Sequence, residues 1–203
     1  MSAQYLAEWL KKRDIPVVEM SGMGANRIRL RRVMDYVQQD TEPPHLFVYM
    51  GHGFKKSLVG FEIGALAFPK THLVQKDVND DQFKNTIFVS MACWSMNELG
   101  PSIVNKGALT YFGSIKPMMV GFGEDDRMYL NDFINVLTVI PRKLAQGSTT
   151  DEAFKSYQQL CKGYMDLYSQ HPELKNIDKY YEAMEDNLKY YEYIGRGDVR
   201  WQK

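Results

Sequence analysis

Three short apolar runs, each stopped by a small or reactive residue instead of a charged loop, constrain this chain more than any other feature. Residues 45–50 (HLFVYM) stop at Gly51-His52-Gly53, residues 86–92 (TIFVSMA) stop at Cys93, and residues 108–112 (ALTYF) stop at Gly113-Ser114. Runs of this length, rich in β-branched and aromatic residues and bounded by turn formers, read as buried strands. A fourth run, residues 15–20 (IPVVEM), precedes a stretch at 25–38 with Leu30, Val33, Met34 and Val37 at helical spacing. Strand, helix and strand in quick succession predict a βαβ unit, and therefore a parallel sheet with a right-handed crossover. The fold class is α/β: a mostly parallel central sheet with helices on both faces.

The remaining elements fit one domain spanning 1–203. Residues 3–13 place Tyr5, Leu6, Trp9 and Leu10 on one stripe, a short helix that Asp14 ends. Residues 57–74 alternate β formers with glycine and predict a hairpin projecting from the sheet. A short helix near 101–106 closes at Gly107. After a loop at 116–126 comes a long helix with Leu130, Phe133, Ile134, Leu137 and Leu144 on one face, kinked at Pro141 and ended by Gly147. Thr149 and Glu152 have the spacing of a capping box. The helix they open carries Phe154, Tyr157, Cys161, Tyr164 and Tyr168 in a stripe, which turns Cys161 to the core. A helix at 176–188 and a strand at 189–194 finish the pattern.

Composition narrows the function classes. The 25 basic and 25 acidic side chains cancel, so the basic footprint of a nucleic-acid binder is missing. A mean hydropathy of −0.41 and the lack of a long apolar run predict no membrane span. The N-terminus lacks the pattern of a secretory signal, which predicts a cytoplasmic protein. Two cysteines 68 positions apart build neither a disulfide scaffold nor a zinc knuckle, and His45, His72 and His171 show no ligand spacing, so no metal is expected. Gly22-x-Gly24 lacks the third glycine and the downstream acid of a dinucleotide loop and reads as a turn. Arg27, Arg29, Arg31 and Arg32 read as the solvated side of their helix. Arg196-Gly197-Asp198 reads as a chance match to an adhesion tripeptide, and the tyrosines between 164 and 193 as a packing layer or partner surface.

In an open α/β sheet the reactive groups lie at the carboxyl ends of the strands. His52 and Cys93 occupy that place on two strands. If those strands are neighbours, the imidazole and the thiol leave the same edge, as a cysteine nucleophile and its proton carrier require. The N–H groups of Gly53 and Cys93 are candidates for an oxyanion hole. The bland alternatives are an inert thiol and a turn histidine.

A hydrophobic block ending in His52-Gly53, followed 41 positions later by a block ending in Ala92-Cys93, resembles the caspase-like cysteine peptidases, nearest to the CHAT and gingipain-type domains. Residues 107–113 (GALTYFG) look like the strand after the cysteine in those domains. Residues 144–153 (LAQGSTTDEA) look like their capped helix start, and residues 193–198 (YIGRGD) like their closing strand and turn. The resemblance implies a three-layer caspase-like sandwich and a cysteine endopeptidase acting on protein or peptide substrates through a thioester, without a cofactor. Met91 stands where caspases have Gln and clostripain-like relatives have an acid that grips a basic P1 side chain; it implies an apolar pocket wall, with Ser114 as a second wall. The acidic group Glu124-Asp125-Asp126 could reverse that preference. Relatives also carry a strand before the first helix, beside the strand that ends in His-Gly, whereas this chain begins on the helix. The missing strand implies a longer parent protein, a regulatory partner that supplies it, or a rearranged sheet. A catalytically inactive interaction module that keeps the fold is the alternative reading.

Overall fold

The computed structural model describes residues 2–40, 42–60, 72–118 and 127–201, with Met23, Asp40, Arg127 and Met128 described through their backbone alone. In chain order the elements are α1 (Ser2–Lys11), α2 (Arg27–Asp40), β1 (His45–Met50), β2 (Gly53–Phe54), β3 (Ser57–Val59), β4 (His72–Gln75), β5 (Thr86–Met91), α3 (Leu99–Asn105), β6 (Thr110–Ser114), α4 (Arg127–Ala145), α5 (Thr150–Ser169), α6 (Ile177–Tyr190) and β7 (Tyr191–Gly195). The main sheet has the order β1-β5-β6-β7. β1, β5 and β6 run parallel, and β7 closes the sheet antiparallel to β6.

Alternation across the strands divides the core in two. Ile87, Val89, Met91 and Phe112 face α4, α5 and α6 on one side. Phe88, Ala92 and Tyr111 face the other side, with Leu30 and Met34 of α2 and Leu99 and Ile103 of α3. Every residue of β5 is buried, as expected of a central parallel strand covered on both faces. Each fully buried Ile, Phe or Val there contributes roughly 1.5–3 kcal/mol. The sheet is thus mixed, mostly parallel and covered by helices on both faces. α1 adds a satellite cluster in which Leu6, Leu10 and Ile15 meet Val48 and Met50 of β1.

Most expected elements form within a few residues of their predicted bounds. The capping box forms as read: Thr149 Oγ accepts from the Glu152 N–H, and the Glu152 carboxylate accepts from the Thr149 N–H. Pro141 lies inside α4, and Gly147 adopts a left-handed φ of 88° just beyond the helix end. The expected hairpin is present as β3 and β4, and β2 joins it to make a three-stranded antiparallel sheet; residues 61–71 of that reading lie outside the described residues.

Residues 15–20 differ from expectation. Ile15 and Val17 pack toward α1 and Met20 packs toward α2, the alternation of a strand, yet the segment forms none. Pro16 has no N–H to donate, and among the described residues no neighbouring strand pairs with the segment. The expected βαβ unit therefore lacks its first strand, and β1 is an edge of the main sheet among the described residues.

Candidate active site

β1 and β5 pair in a register with an offset of 41, from His45 opposite Thr86 to Met50 opposite Met91. Beyond the strand ends the Gly51 N–H still donates to the Met91 carbonyl, at 3.4 Å. Carried two residues further, the same register sets position 52 opposite position 93. The equal sequence and register offsets are why these two residues leave neighbouring strands at the same edge.

Two backbone turns meet there. A Cβ on Gly53 would fall 2.8 Å from the Ala92 Cβ and 2.8 Å from the Cys93 carbonyl oxygen, so the chain after His52 lies directly against the chain around Cys93. No side chain fits between them without displacing backbone. Gly51 is restricted similarly by the Tyr49 hydroxyl, which would lie 2.7 Å from a Cβ at that position. That hydroxyl faces the carbonyl oxygens of His52, at 2.7 Å, and Val59, at 2.8 Å, and ties the His52 turn to the hairpin. The Val59 N–H donates to the His52 carbonyl, a bonded antiparallel pair. The next pair, Gly53 and Leu58, is then a non-bonded one, with the Gly53 N–H turned away from β3.

On the cysteine side, Trp94 adopts a left-handed φ of 53°, a conformation that costs a non-glycine residue roughly 1–2 kcal/mol. Surrounding bonds hold it: the Trp94 N–H donates to the Lys116 carbonyl at 3.1 Å, and the Met96 N–H donates to the Ser114 carbonyl at 3.1 Å. The Ser95 hydroxyl donates to the Ala92 carbonyl at 3.1 Å. Cys93 is half-buried, and its Sγ accepts from the Met118 N–H at 3.3 Å. His52 is exposed.

α3, which follows this turn, is fastened at both ends. The Glu98 and Leu99 N–H groups donate to the Lys55 carbonyl of the β2–β3 turn. Further along, the Ser102 hydroxyl donates to Asp80 Oδ2 at 2.5 Å and Lys106 Nζ donates to Asp80 Oδ1 at 2.7 Å. Burial raises the Asp80 pKa, but these bonds and the backbone N–H of Asp77 outweigh it and hold the carboxyl below its ordinary range.

The two residues read from the sequence as pocket walls are both buried. Met91 points into the core with Val89 and Phe112, and is buried. The buried Ser114 hydroxyl is held within the turn after β6: it donates to the Lys116 carbonyl at 2.8 Å and accepts from the Lys116 N–H at 3.2 Å. Both are buried among the described residues, and the Ser114 carbonyl joins the cysteine turn by accepting from the Met96 N–H. Glu124, Asp125 and Asp126 lie outside the described residues. Tyr49, Trp94, Lys116 and Met118 were missed in the sequence. Only Tyr49, an aromatic residue two positions before a Gly-x-Gly turn, carried a local signal.

Among the described residues no group of three or more His, Cys, Asp or Glu side chains is arranged to hold a metal ion, and no helix is long and apolar enough to cross a membrane. Comparison of the chain with protein-family models, with curated proteins and with solved structures gave no match.

Proposed function

We propose that the chain is a caspase-like cysteine endopeptidase with Cys93 as nucleophile and His52 as its proton carrier. The observation that carries this reading is the shared edge: β1 and β5 are adjacent and parallel, and their register sets His52 and Cys93 side by side on touching backbone turns. The left-handed Trp94 supports it, since backbone held in a costly conformation clusters at reactive turns.

The chemistry follows from these groups. The Cys93 thiolate attacks the scissile carbonyl carbon, and the charge moves onto the carbonyl oxygen, where the Gly53 and Cys93 N–H groups are the candidate donors. As the tetrahedral intermediate collapses, the C–N bond breaks and His52 gives its proton to the leaving amine. Water, deprotonated by the same imidazole, then cleaves the thioester to a carboxylic acid and restores the thiol.

The edge position of β1 among the described residues, with residues 15–20 packed near it in no strand, supports a regulatory reading. A strand supplied by a partner pairs there and aligns the site.

The inactive interaction module is favoured by a different observation: Met91 and Ser114, the residues expected to grip a substrate side chain, are buried. Labelling with a panel of peptidyl acyloxymethyl ketones separates the two readings. A peptidase is labelled in the wild type and in Cys161→Ala, and loses labelling in Cys93→Ala and His52→Ala. Labelling through Cys161, or none with or without candidate partners, leaves the inactive module.

A further inference from the structure

A second feature lies outside the candidate active site, where the start of α4 meets the end of α5. Tyr129, Asp132, Leu167, Tyr168, His171 and Leu174 line a cavity of about 140 Å³. This is close to the roughly 150 Å³ that accommodates benzene in an apolar protein cavity. Its walls are mainly apolar, and Leu167, at 45% exposure, is one of the large hydrophobic residues left open to solvent.

The walls are fixed. The Tyr129 hydroxyl donates to the Lys175 carbonyl at 3.2 Å, and its ring stacks on Tyr180 with centroids 3.8 Å apart. The Tyr168 ring meets Tyr129 edge to face at 5.6 Å, and its hydroxyl donates to Asp132 Oδ2 at 2.9 Å.

One carboxylate lines this apolar space without a counter-charge among the described residues. Asp132 is half-buried and takes part in no ion pair among the described residues. Burial raises its carboxyl pKa, and the Tyr168 and Tyr164 hydroxyls offset that only in part. The other titratable wall residue, His171, is turned to Glu173, with Nδ1 3.1 Å from Oε1. A carboxylate half removed from water favours a bound cation, and tyrosine rings favour one further.

We propose that this cavity binds a primary alkylammonium group, its –NH3+ on the Asp132 carboxylate and its alkyl chain against Leu167, Leu174 and the two tyrosine rings. A chain of four or five carbons, as in a small free amine or a lysine side chain, matches the size of the space. The site is independent of the Cys93 chemistry and stands whether or not that reading holds.

The test is a saturation-transfer NMR titration of the full chain at pH 8 with n-butylammonium, n-butanol, butyrate and Nα-acetyl-lysine amide, repeated on Asp132→Asn. The expected result is saturable binding of butylammonium, weaker by about tenfold or more for butanol, undetectable for butyrate, and weakened by about tenfold or more in Asp132→Asn. Binding of acetyl-lysine amide with the same Asp132 dependence identifies a lysine side chain as occupant, and its failure beside bound butylammonium identifies a free amine. Absence of saturable butylammonium binding, butanol binding as tightly, or a folded Asp132→Asn binding as the wild type each overturns the proposal. Should Asp132→Asn lose its native circular dichroism, the amine-to-alcohol ratio on the wild type decides alone.

Discussion

The two cysteines occupy opposite kinds of environment. Cys161 lies within α5, fully buried beside Tyr157, and burial pushes its thiol up to about 12. Cys93 lies where the chain leaves β5, half-buried, beside a left-handed residue and a glycine-only contact with the His52 turn. A regular helix on a packed core turns a thiol into a small hydrophobic side chain. A strand end can present the same thiol to solvent while its neighbours stay in the core.

The largest expected effect is in alkylation. With a pKa near 12, Cys161 is ionised at neutral pH to only about one part in 10⁴–10⁵, and the packing around it excludes reagents. Iodoacetamide at pH 7.5 should modify Cys93 at least about 1,000 times faster than Cys161 in the native protein, with both reacting in denaturant. Mass spectrometry of the time course measures both rates. Comparable native rates would break the comparison.

Next comes the contact that sets the two turns together. Gly53→Ala inserts a methyl where Ala92 and the Cys93 backbone already stand, so the turns must separate. The expected cost is about 1–3 kcal/mol of stability. Peptidyl-probe labelling of Cys93 should fall about 100-fold, because misplacing reacting groups by about an ångström costs that much. Reaction with iodoacetamide, which needs no aligned imidazole, should change far less. Equal losses for both reagents would show that the variant buries Cys93 without misaligning it.

A third variant probes the far fastening of α3, the helix that follows the cysteine turn. Lys106→Met leaves the buried Asp80 without its cation, for an expected loss of about 3 kcal/mol in urea unfolding at pH 7. The Asp80 carboxyl is held below its ordinary range in the wild type, so its stabilisation is complete above the unfolded value near pH 4 and fades as pH falls through the lower folded value. In the variant, protonation of Asp80 removes the penalty of a buried charge left without its cation. The gap between the two proteins should therefore narrow on acidification, and a gap that widens below pH 4 would exclude this origin.

How much of this was legible in the sequence depends on whether the deciding interaction was local. The strand runs at 45–50, 86–92 and 108–112, the capping box and the inward face of Cys161 follow from short-range pattern, and all appear, the strands ending at 50, 91 and 114. The shared edge of His52 and Cys93 required one further assumption, that the two strands are neighbours, and the register meets it. Residues 15–20 carry the composition of a strand, but strand pairing needs a second chain segment that no local window contains. Met91 takes its expected role from its position two before Cys93, whereas its side of β5 turns it to the core. The Trp94 turn was illegible because tryptophan gives no signal for a left-handed φ; distant carbonyls at Ser114 and Lys116 impose it.

The smallest effect tests why Cys161 is silent. Tyr157, wholly buried, donates its hydroxyl to the Asn187 carbonyl at 3.0 Å, and its ring packs against Tyr191. Tyr157→Phe keeps the ring and deletes that bond, for an expected loss of about 1 kcal/mol at the urea midpoint. If burial silences Cys161, the variant must leave its alkylation at the slow native rate, because the thiol stays fully buried in the packed helix even without the Tyr157 hydroxyl beside it. Should the thiol instead react on the timescale of Cys93, its inertness belongs to the Tyr157 hydroxyl and to the α5–α6 junction that this hydroxyl fastens, and the contrast between the cysteines becomes one of local opening instead of burial.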